Sequence, residues 1–333
     1  MSEAVFKVLH AGPHVSVQDG GRRGLMRFGV PASGAMDRNA LEVANAALGN
    51  DPAAPAIEVS AGGLALECLE GRATFAVVGG GFDVALDEVH GGAWRIGTIR
   101  AGQRLAIRPG HWGSWTYLAF AGHLASTRWL NSAATHGRSG FGGGRLVPGG
   151  RVILEEARWR EDLVGDIPCP VSARPRGEMR IVLGPQDRFF EPEAIRALLS
   201  QPFALTDSYD RMGVRLAGPP LRVNAALDMP SEPILRGSIQ VSGEGIATVL
   251  LADHQTTGGY PKIATIIAED LDGFVQLRAR NTVTFRAISP AMAVEIARTR
   301  QRAHQRYMEA VMMAHALPGF HAREVLWRSD FKN

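Results

Sequence analysis

The chain has 333 residues, more than one domain usually holds, so its length predicts two packed domains. Lys and Arg number 36 against 33 Asp and Glu, and this net charge of +3 argues against a basic face for nucleic acid. Hydrophobic residues make up 45% of the chain, yet no apolar run is long enough to span a bilayer, so a folded protein without membrane segments is expected.

Cysteine and histidine spacing gives no sign of a metal site. Cys68 and Cys169 form no CxxC pair, and the ten histidines show no HExxH-like arrangement. The sequence therefore predicts no bound metal and no disulfide framework. The N-terminal residues lack the basic start and apolar stretch of a signal peptide, so a cytoplasmic location is expected.

The first half of the chain has the pattern of many short strands. A strand is predicted at Val5–Leu9, and a helix is predicted from Asp37, its N-terminal cap, to Leu48, with Gly49 as its stop. Strand-like segments separated by glycine turns, including Gly79–Gly81 and Gly91–Gly92, then follow at Ile57–Ser60, Leu64–Leu69, Ala73–Val78, Phe82–Leu86, Arg104–Arg108 and Thr116–Ala121. This rhythm predicts an antiparallel barrel or sandwich rather than βαβ units.

The second half repeats that rhythm after a stretch rich in Pro, Arg and acidic residues. Its elements are predicted as a helix near Pro192–Leu199 and strands at Met179–Leu183, Val214–Leu216, Ser238–Val241, Thr248–Leu251, Ala264–Ile267 and Thr282–Ala287. Ser289 and Pro290 then open a long helix to about Ala316. We predict an N-terminal β domain at 1–155, a linker at 156–178, a C-terminal β domain at 179–288 and a helical tail at 289–333.

Two glycine-rich segments of the first half carry candidate binding residues. In Val17–Gly24, Gln18, Asp19 and Arg22 stand among glycines that let a backbone approach a ligand. The alternative is a simple turn in which Asp19 pairs with Arg22 or Arg23. In Gly29–Asn50, Asn45 lies inside a helix stripe, where its amide would reach a backbone group or a ligand.

Buried charge and strand ends add candidates further along the chain. Glu58 lies in an apolar strand and must be paired if it faces inward. Arg211 would bind a carboxylate through its planar guanidinium or form a surface ion pair. The strand Val249–Ala252 runs directly into polar residues, which is typical of a ligand-facing strand end. Candidates in that region are Gln240, Gln255, Thr256, Thr257, Gly258, Gly259, Tyr260 and Lys262.

These segments, in this order, resemble one family. Its members are variously called allophanate hydrolase subunit 2, KipA-like proteins or the C subunit of 5-oxoprolinase, and they are related to biotin-dependent carboxyltransferases. The matching motifs are QDxGRxG at Gln18–Gly24, GVPxSGAMD at Gly29–Asp37, AN and GN at Ala44–Asn45 and Gly49–Asn50, RMGxRLxGP at Arg211–Pro219, GxIQV at Gly237–Val241 and DxQTTGGYPKIAT at Asp253–Thr265.

The resemblance implies a mainly β fold of two cyclophilin-like β-barrel domains, and the residue pattern adds a C-terminal helical tail outside the shared region. It also implies a subunit that works with a KipI-like partner. Two reactions are implied: ATP-dependent opening of 5-oxoproline with a LamB/YcsF-type protein, or transfer of carboxylate from carboxybiotin to urea alongside a biotin carboxylase. ATP or carboxybiotin would come from the partner subunits, because the chain has no ATP-binding glycine loop and no biotinyl-lysine MKM segment.

On this interpretation the candidate residues divide into two roles. Arg211 and Lys262 would stabilise developing negative charge, and Tyr260 would donate a hydrogen bond or transfer a proton. The residues expected to bind the substrate are Gln18, Asp19, Arg22, Asn45, Gln240, Gln255, Thr256, Thr257, Gly258 and Gly259.

The sequence departs from the family pattern at several positions, among them Asn131, which replaces a Gly, and His123 in a segment that usually reads AGG. His254 and Ala134 stand where members carry Arg, and Val214 stands where they carry Tyr. Histidine lacks the planar fork with which arginine holds an anion. These departures motivate an alternative function, that of a non-catalytic regulatory protein that binds and antagonises a KipI-like kinase inhibitor.

Overall fold

The computed structural model describes residues 2–224 and 230–316 and divides the chain into two compact units. The first unit comprises residues 1–21, 37–174 and 301 onward, and the second comprises 22–36 and 175–300. The boundary at 174 lies inside the expected linker. The two units are discontinuous in sequence, whereas the predicted domains are continuous stretches.

Eleven strands of the first unit form one sheet. Its elements are β1 (Ala4–Ala11), β2 (Ser16–Gln18), α1 (Arg38–Ala46), β3 (Ala56–Ser60), β4 (Leu64–Glu70), β5 (Arg72–Leu86), β6 (Val89–Gly92), β7 (Arg95–Arg100), β8 (Arg104–Phe120), β9 (His123–Leu124), β10 (Arg151–Glu155) and β11 (Gly165–Asp166). The main order is β11-β7-β5-β8-β4-β1-β10-β9, with β3 joined to β8 and β2, and β6 joined to β5.

Alternation of apolar residues builds the core of this unit. Leu64, Leu66 and Cys68 of β4 are buried while the residues between them are partly exposed, as expected for a strand with one covered face. Phe6 of β1 stacks on Phe120 of β8 with ring centroids 4.7 Å apart. These residues belong to one hydrophobic cluster, which forms the core of the first unit.

Helix α1 begins as predicted and ends earlier than predicted. The Asp37 carboxylate accepts a hydrogen bond from the Ala40 amide at 2.9 Å, so Asp37 is the N-terminal cap. The helix ends at Ala46, two residues before the predicted Leu48, and Gly49 follows with a φ of +67°. The left-handed conformation at Gly49 is that of a glycine just beyond a helix end.

The predicted turn at Gly79–Gly81 is wrong. These glycines lie inside the 15-residue strand β5, which also joins the segments predicted as two strands. The register between β5 and β8 shifts on both sides of Gly81, so the glycines mark irregularities in a continuous pair. In the same way Gly91–Gly92 belongs to strand β6, and β8 unites two predicted strands.

The second unit contains a closed barrel. Its elements are β12 (Glu178–Leu183), α2 (Pro192–Ser200), β13 (Phe203–Tyr209), β14 (Gly213–Ala217), β15 (Glu232–Pro233), β16 (Ser238–Val241), β17 (Ala247–Leu250), β18 (Thr257–Gly258), β19 (Lys262–Ile266), α3 (Ala268–Val275) and β20 (Thr282–Ala287). Seven strands close in the order β12-β19-β16-β17-β14-β13-β20, and β15 pairs with β18 separately. The predicted mainly β class is confirmed.

The predicted C-terminal helix is confirmed as α4 (Pro290–Ala316), the fourth helix among the described residues. The Met292 amide donates to Ser289 Oγ at 3.2 Å, so Ser289 caps the helix start. Within the first unit, Tyr307 donates its hydroxyl proton to the carbonyl of Pro168 at 2.7 Å. The remainder of the predicted tail, 317–333, lies outside the described residues.

None of the helices within residues 2–224 and 230–316 is long and apolar enough to cross a membrane.

Candidate functional site

The second unit holds a buried lysine on strand β19. Lys262 is paired in register with Gln240 of β16 across a bulge in the ladder. Its side chain is only 1% exposed, and its Nζ has no hydrogen-bond partner among the described residues. The nearest carboxylate oxygen, Glu232 Oε2, lies 3.7 Å away. A buried amine with unfilled donors is costly unless a ligand or solvent completes it, so Lys262 marks the candidate site.

Gln186 connects this lysine to its counter-ion. Its Oε1 accepts from the Lys262 amide at 2.9 Å, and its Nε2 donates to Glu232 Oε2 at 2.6 Å. The Gln186 amide donates in turn to the Lys262 carbonyl at 3.2 Å. Gln186 is itself buried, whereas the Glu232 side chain is 44% exposed. The site thus extends from a buried ammonium to a half-exposed carboxylate.

Sequence reasoning missed both of these residues. Gln186 follows strand β12 in a loop, the kind of strand end that singled out other candidates, so its position was a usable signal. Glu232 had no such signal, because it lies in a two-residue strand that only the fold brings to Lys262.

Two glutamines predicted as ligand-binding residues are neighbours in this unit. Gln240 donates from Nε2 to the carbonyl of Tyr260 at 3.2 Å, and Gln255 Nε2 lies 3.5 Å from Gln240 Oε1. Tyr260 is 49% exposed. The structure therefore brings together the amides of Gln240 and Gln255 and the Tyr260 backbone, with Lys262 two residues further along the chain.

The glycine at 258 is required by close packing. A Cβ at Gly258 would come within 2.6 Å of Ile234 and 2.9 Å of Gln240 Nε2. Gly258 also pairs with Glu232 in the β15–β18 ladder. The neighbouring Thr256 accepts a hydrogen bond from the Ile234 amide at 3.1 Å through its carbonyl, Thr257 is exposed, and Gly259 is partly exposed.

Arg211 forms a buried ion pair rather than the surface pair that was one alternative. Its Nε and Nη2 donate to the two carboxylate oxygens of Asp253 at 3.0 and 2.9 Å. Nη2 also donates to the carbonyl of Gly34 at 2.7 Å, which attaches residues 22–36 to this unit. A bidentate pair of this kind gives Arg211 a structural role. Its catalytic role stays a prediction.

Arg22 belongs to the same early segment. Its side chain is buried, and its amide donates to the carbonyl of Ala32 at 2.7 Å, which closes the segment on itself. Its role in binding a substrate stays a prediction.

In the first unit, Asp19 is held by three donors. Its carboxylate accepts from the Gly21 amide at 2.8 Å, the Ser132 hydroxyl at 2.7 Å and the Ala133 amide at 2.6 Å. Gln18 donates to Ser16 Oγ and to the carbonyl of Thr135 at 2.9 and 3.1 Å. Both side chains therefore hold the loop after Leu130 in place, although that loop lies more than 110 residues away in sequence.

The side chains of Gln18 and Asp19 differ in their surroundings. Gln18 is fully buried, and its Oε1 has no hydrogen-bond partner among the described residues. Asp19 lines a cleft of about 870 Å³ in this unit. The cleft is lined by loops, with polar side chains that include Asn50, Arg128, Ser132, Glu156 and Arg158.

Asn45 reaches backbone groups, the first of its two predicted alternatives. Its Nδ2 donates to the carbonyl of Ala54 at 2.9 Å, and its Oδ1 accepts from Asn50 Nδ2 at 3.2 Å. Asn50 also donates to the carbonyl of Phe120 at 2.8 Å and accepts from Arg158. The two asparagines thereby fix the turn after α1 beside the cleft, and substrate binding by Asn45 stays a prediction.

The paired state expected for Glu58 is confirmed. Glu58 is fully buried and accepts the hydroxyl proton of Tyr117 at 2.7 Å. The same hydroxyl accepts from the Asp37 amide at 2.8 Å. Burial, followed by the charges of Glu58 and Asp37, raises the pKa of Tyr117 well above its ordinary value. This group links β3, β8 and the start of α1.

The three departures that motivate the regulatory alternative are all buried. His254 places its Nδ1 2.6 Å from the carbonyl of Gln255, inside the predicted ligand-binding segment. Val214 is a core residue of β14. In the first unit the Ala134 amide donates to Ser132 Oγ at 3.1 Å. Ala134 lies between Ala133 and Thr135, whose backbones bond to the side chains of Asp19 and Gln18.

Known proteins share both sequence and fold with this chain. A family profile described as carboxyltransferase domain, subdomain A and B, matches residues 28–287. The C subunit of the 5-oxoprolinase of Haemophilus influenzae is 34% identical over 297 residues, which cover 88% of this chain and 94% of that protein. The urea amidolyase of Saccharomyces cerevisiae is 30% identical over 279 residues, 79% of this chain but 15% of that longer protein.

The fold recurs in a solved structure. The crystal structure of Kluyveromyces lactis urea carboxylase matches with a TM-score of 0.80 and 24% identity. The match covers 91% of this chain and 29% of that one, so the chain corresponds to one part of a much longer protein.

Proposed function

Because the chain belongs to the family of carboxyltransferase domains, subdomain A and B, we propose that it acts as one subunit of a 5-oxoprolinase-type complex. The family resemblance predicted from its motifs is thereby confirmed. The match to 94% of a 5-oxoprolinase component favours this complex over one in which the homologous region is a small part of a long chain. In the proposed reaction a KipI-like partner and a LamB/YcsF-type protein complete the enzyme, and ATP is used by the partners.

The observation that carries the proposal is the buried amine of Lys262. Opening a cyclic amide places negative charge on the carbonyl oxygen, and a fixed ammonium in a site that excludes water stabilises that charge. The Nζ of Lys262 has unfilled donors for this purpose among the described residues. The neighbouring amides of Gln240 and Gln255 would hydrogen-bond to the substrate, and the half-exposed Tyr260 would close the site on the solvent side.

The proposal is tested by reconstitution with the two partner proteins. ATP-dependent formation of glutamate from 5-oxoproline is measured for the wild-type chain and for Lys262→Met, which keeps the length of the side chain and removes its charge. We expect Lys262→Met to lower kcat by about 100-fold or more, the effect of losing one charge-stabilising group. The matched control is Glu244→Gln, a charge change at an exposed position of the same unit, which should leave kcat unchanged.

Two results would count against this form of the proposal. One is the absence of glutamate formation by the wild-type mixture when an orthologous set of subunits works under the same conditions. The other is full activity of Lys262→Met, which would remove the lysine from the chemistry and leave the complex itself in place.

Carboxyl transfer is the second candidate. It is supported by the description of the family and by the similarity to a urea amidolyase. In this case the chain would receive carboxylate from carboxybiotin carried by a partner with a biotin carboxylase. Consumption of ATP and bicarbonate that depends on urea, in a mixture with those partners and without the LamB/YcsF-type protein, would favour it over amide opening.

A regulatory role is the alternative motivated by His254, Val214 and Ala134. It requires tight association with a KipI-like protein together with unchanged rates for Tyr260→Phe and Arg211→Ala in every reaction tested. Loss of rate in either variant, with the complex intact by size-exclusion chromatography, would exclude it.

A further inference from the structure

Two residues outside every sequence motif lie beside Lys262, Gln186 at its backbone and Glu232 at its amine. We propose that Gln186 and Glu232 are positioning residues that fix Lys262 in the barrel and place a carboxylate beside its amine, while leaving the hydrogen-bond donors of the amine free for a ligand. The inference rests on the function proposed above for Lys262, and it adds the means by which the charge is balanced and directed.

Gln186 uses both ends of its amide at this point. Its Oε1 accepts the main-chain proton of Lys262 at 2.9 Å, and its Nε2 donates to one oxygen of Glu232 at 2.6 Å. A second main-chain bond joins the Gln186 amide to the Lys262 carbonyl at 3.2 Å. One buried side chain therefore fixes both the backbone of the lysine and the oxygen that faces its amine.

Glu232 balances the charge without occupying a donor. Its Oε2 lies 3.7 Å from Nζ, within ion-pair distance but beyond a hydrogen bond. The same oxygen also accepts the hydrogen bond from Gln186. An opposite charge at this distance attracts the ammonium group, and the three N–H donors of that group stay available.

The counter-ion is also attached to the polar segment of the site. Glu232 pairs in register with Gly258 in the β15–β18 ladder, and Pro233 pairs with Thr257. A Cβ at Gly258 would collide with Ile234, so the two strands pack without room for a side chain. A ligand that contacts residues 255–260 would therefore contact the segment whose strand pairs with Glu232.

The composition of the chain shows that the lysine itself is unusual. Of the 36 basic residues only three are lysines, Lys7, Lys262 and Lys332, and the others are arginines. Arginine is always charged and has a broad planar head, whereas lysine is a compact amine whose charge depends on its surroundings. A compact amine also depends more than a planar guanidinium on neighbouring groups that fix its position.

The test measures the amine directly and uses the scarcity of lysine. Wild-type protein and the variants are treated briefly with acetic anhydride at about pH 8, and mass spectrometry gives the acetylation rate of Lys262 relative to the exposed Lys7 of the same molecule. We expect Glu232→Gln to raise this ratio by about tenfold, because loss of the carboxylate removes the electrostatic attraction that holds the amine in place and away from the reagent. Glu232 is half exposed, so its neutralisation is not expected to unfold the barrel.

Three further variants separate charge from access. Glu232→Asp, which keeps the carboxylate, should stay within about threefold of the wild-type ratio, and Glu244→Gln should match it. Gln186→Met, which frees the carboxylate from its donor, should change the ratio by more than about threefold. In the reconstituted reaction Glu232→Gln should lower kcat by about tenfold or more with KM changed by less than about threefold.

The inference is overturned by a Glu232→Gln ratio within twofold of wild type, or by equal ratios for Glu232→Asp and Glu232→Gln, which would mean that access alone controls acetylation. These readings do not depend on catalysis. If the ratios behave as expected and Lys262→Met is fully active, the proposed function fails while the positioning of the amine stands.

Discussion

Single buried polar residues of this protein differ in whether their hydrogen-bonding groups are already used. Asp19 receives three donors, and Arg211 gives a bidentate pair to Asp253. Lys262 differs, since its Nζ has no hydrogen-bond partner among the described residues. Saturated groups stabilise the fold because their desolvation is compensated, whereas an unsaturated one is costly and is best explained by a ligand.

The Tyr117–Glu58 pair gives a prediction for stability. Tyr117→Phe removes a hydroxyl that donates to Glu58 and accepts from the Asp37 amide. We expect the free energy of unfolding to fall by about 2 kcal/mol at about pH 8, measured by urea denaturation. Tyr117→Leu, which also removes the ring, should cost more.

The same variant should show a distinct pH dependence. Since the pKa of Tyr117 is raised above 10.0 in the folded protein, its proton is retained there at pH values where the unfolded chain has lost it. The resulting stabilisation is complete below about pH 10 and is lost as the pH rises further. The stability difference between wild type and Tyr117→Phe should therefore narrow, by up to about 1.4 kcal/mol per pH unit. A constant difference from pH 9 to 11 would contradict this assignment.

Among the elements, the strand pair β5–β8 contains glycines that allow two backbones to approach closely and that do not form a turn. Gly79 has a φ of +144°, and a Cβ there would lie 2.6 Å from Thr116 Cα and 2.7 Å from the Trp115 carbonyl oxygen. Strand β8 therefore passes directly over the glycine. The irregular register around Gly81 bends two long strands that the sequence divides into four.

This close approach predicts unequal effects of two alanine substitutions. Gly79→Ala should lower the free energy of unfolding by about 3 kcal/mol, because both the collision with β8 and the backbone conformation oppose a side chain. Gly92→Ala on the neighbouring strand β6 is the control, since its Cβ would meet no atom closer than 3.9 Å, and we expect a change below about 0.5 kcal/mol. Equal losses in thermal or urea unfolding would show that Gly79 is an ordinary strand position.

On the scale of the whole chain, neither unit is a continuous stretch of sequence. Residues 22–36 group with the second unit, and residues from 301 onward group with the first. Arg211 shows the basis of the first grouping, because it donates to the carbonyl of Gly34 across 177 positions. A cut at the boundary after 174 would thus leave each part without residues that belong to its own core or surface.

The sequence predicts local features of this molecule better than distant ones. Strand positions such as Ser238–Val241 and caps such as Asp37 and Ser289 follow from patterns of a few residues, and the structure has them. The prediction of a turn at Gly79–Gly81 was wrong because glycine occurs both in turns and where two backbones approach closely.

The candidate site shows the same limit. The motif around residues 253–262 supplied Lys262 together with its glutamine and glycine neighbours. Gln186 lies 76 positions from Lys262 and 46 from Glu232, so only the closed barrel brings the three together. Pairing at that distance leaves no periodic trace in a single sequence, so Glu232 had no signal and the signal for Gln186 was its position after a strand.

Because Lys262 is buried, cleavage after it by a lysine-specific protease would report opening of the barrel. Endoproteinase Lys-C cleaves after lysine, and between Lys7 and Lys332 the chain offers it Lys262 alone. The peptide bond after Lys262 lies at the start of barrel strand β19. We therefore expect this bond to resist Lys-C in the native protein and to be cut in proportion to the open fraction as urea is added. Gel analysis of the two large fragments would measure this. Rapid internal cleavage without urea would mean that β19 leaves the barrel far more readily than its burial indicates.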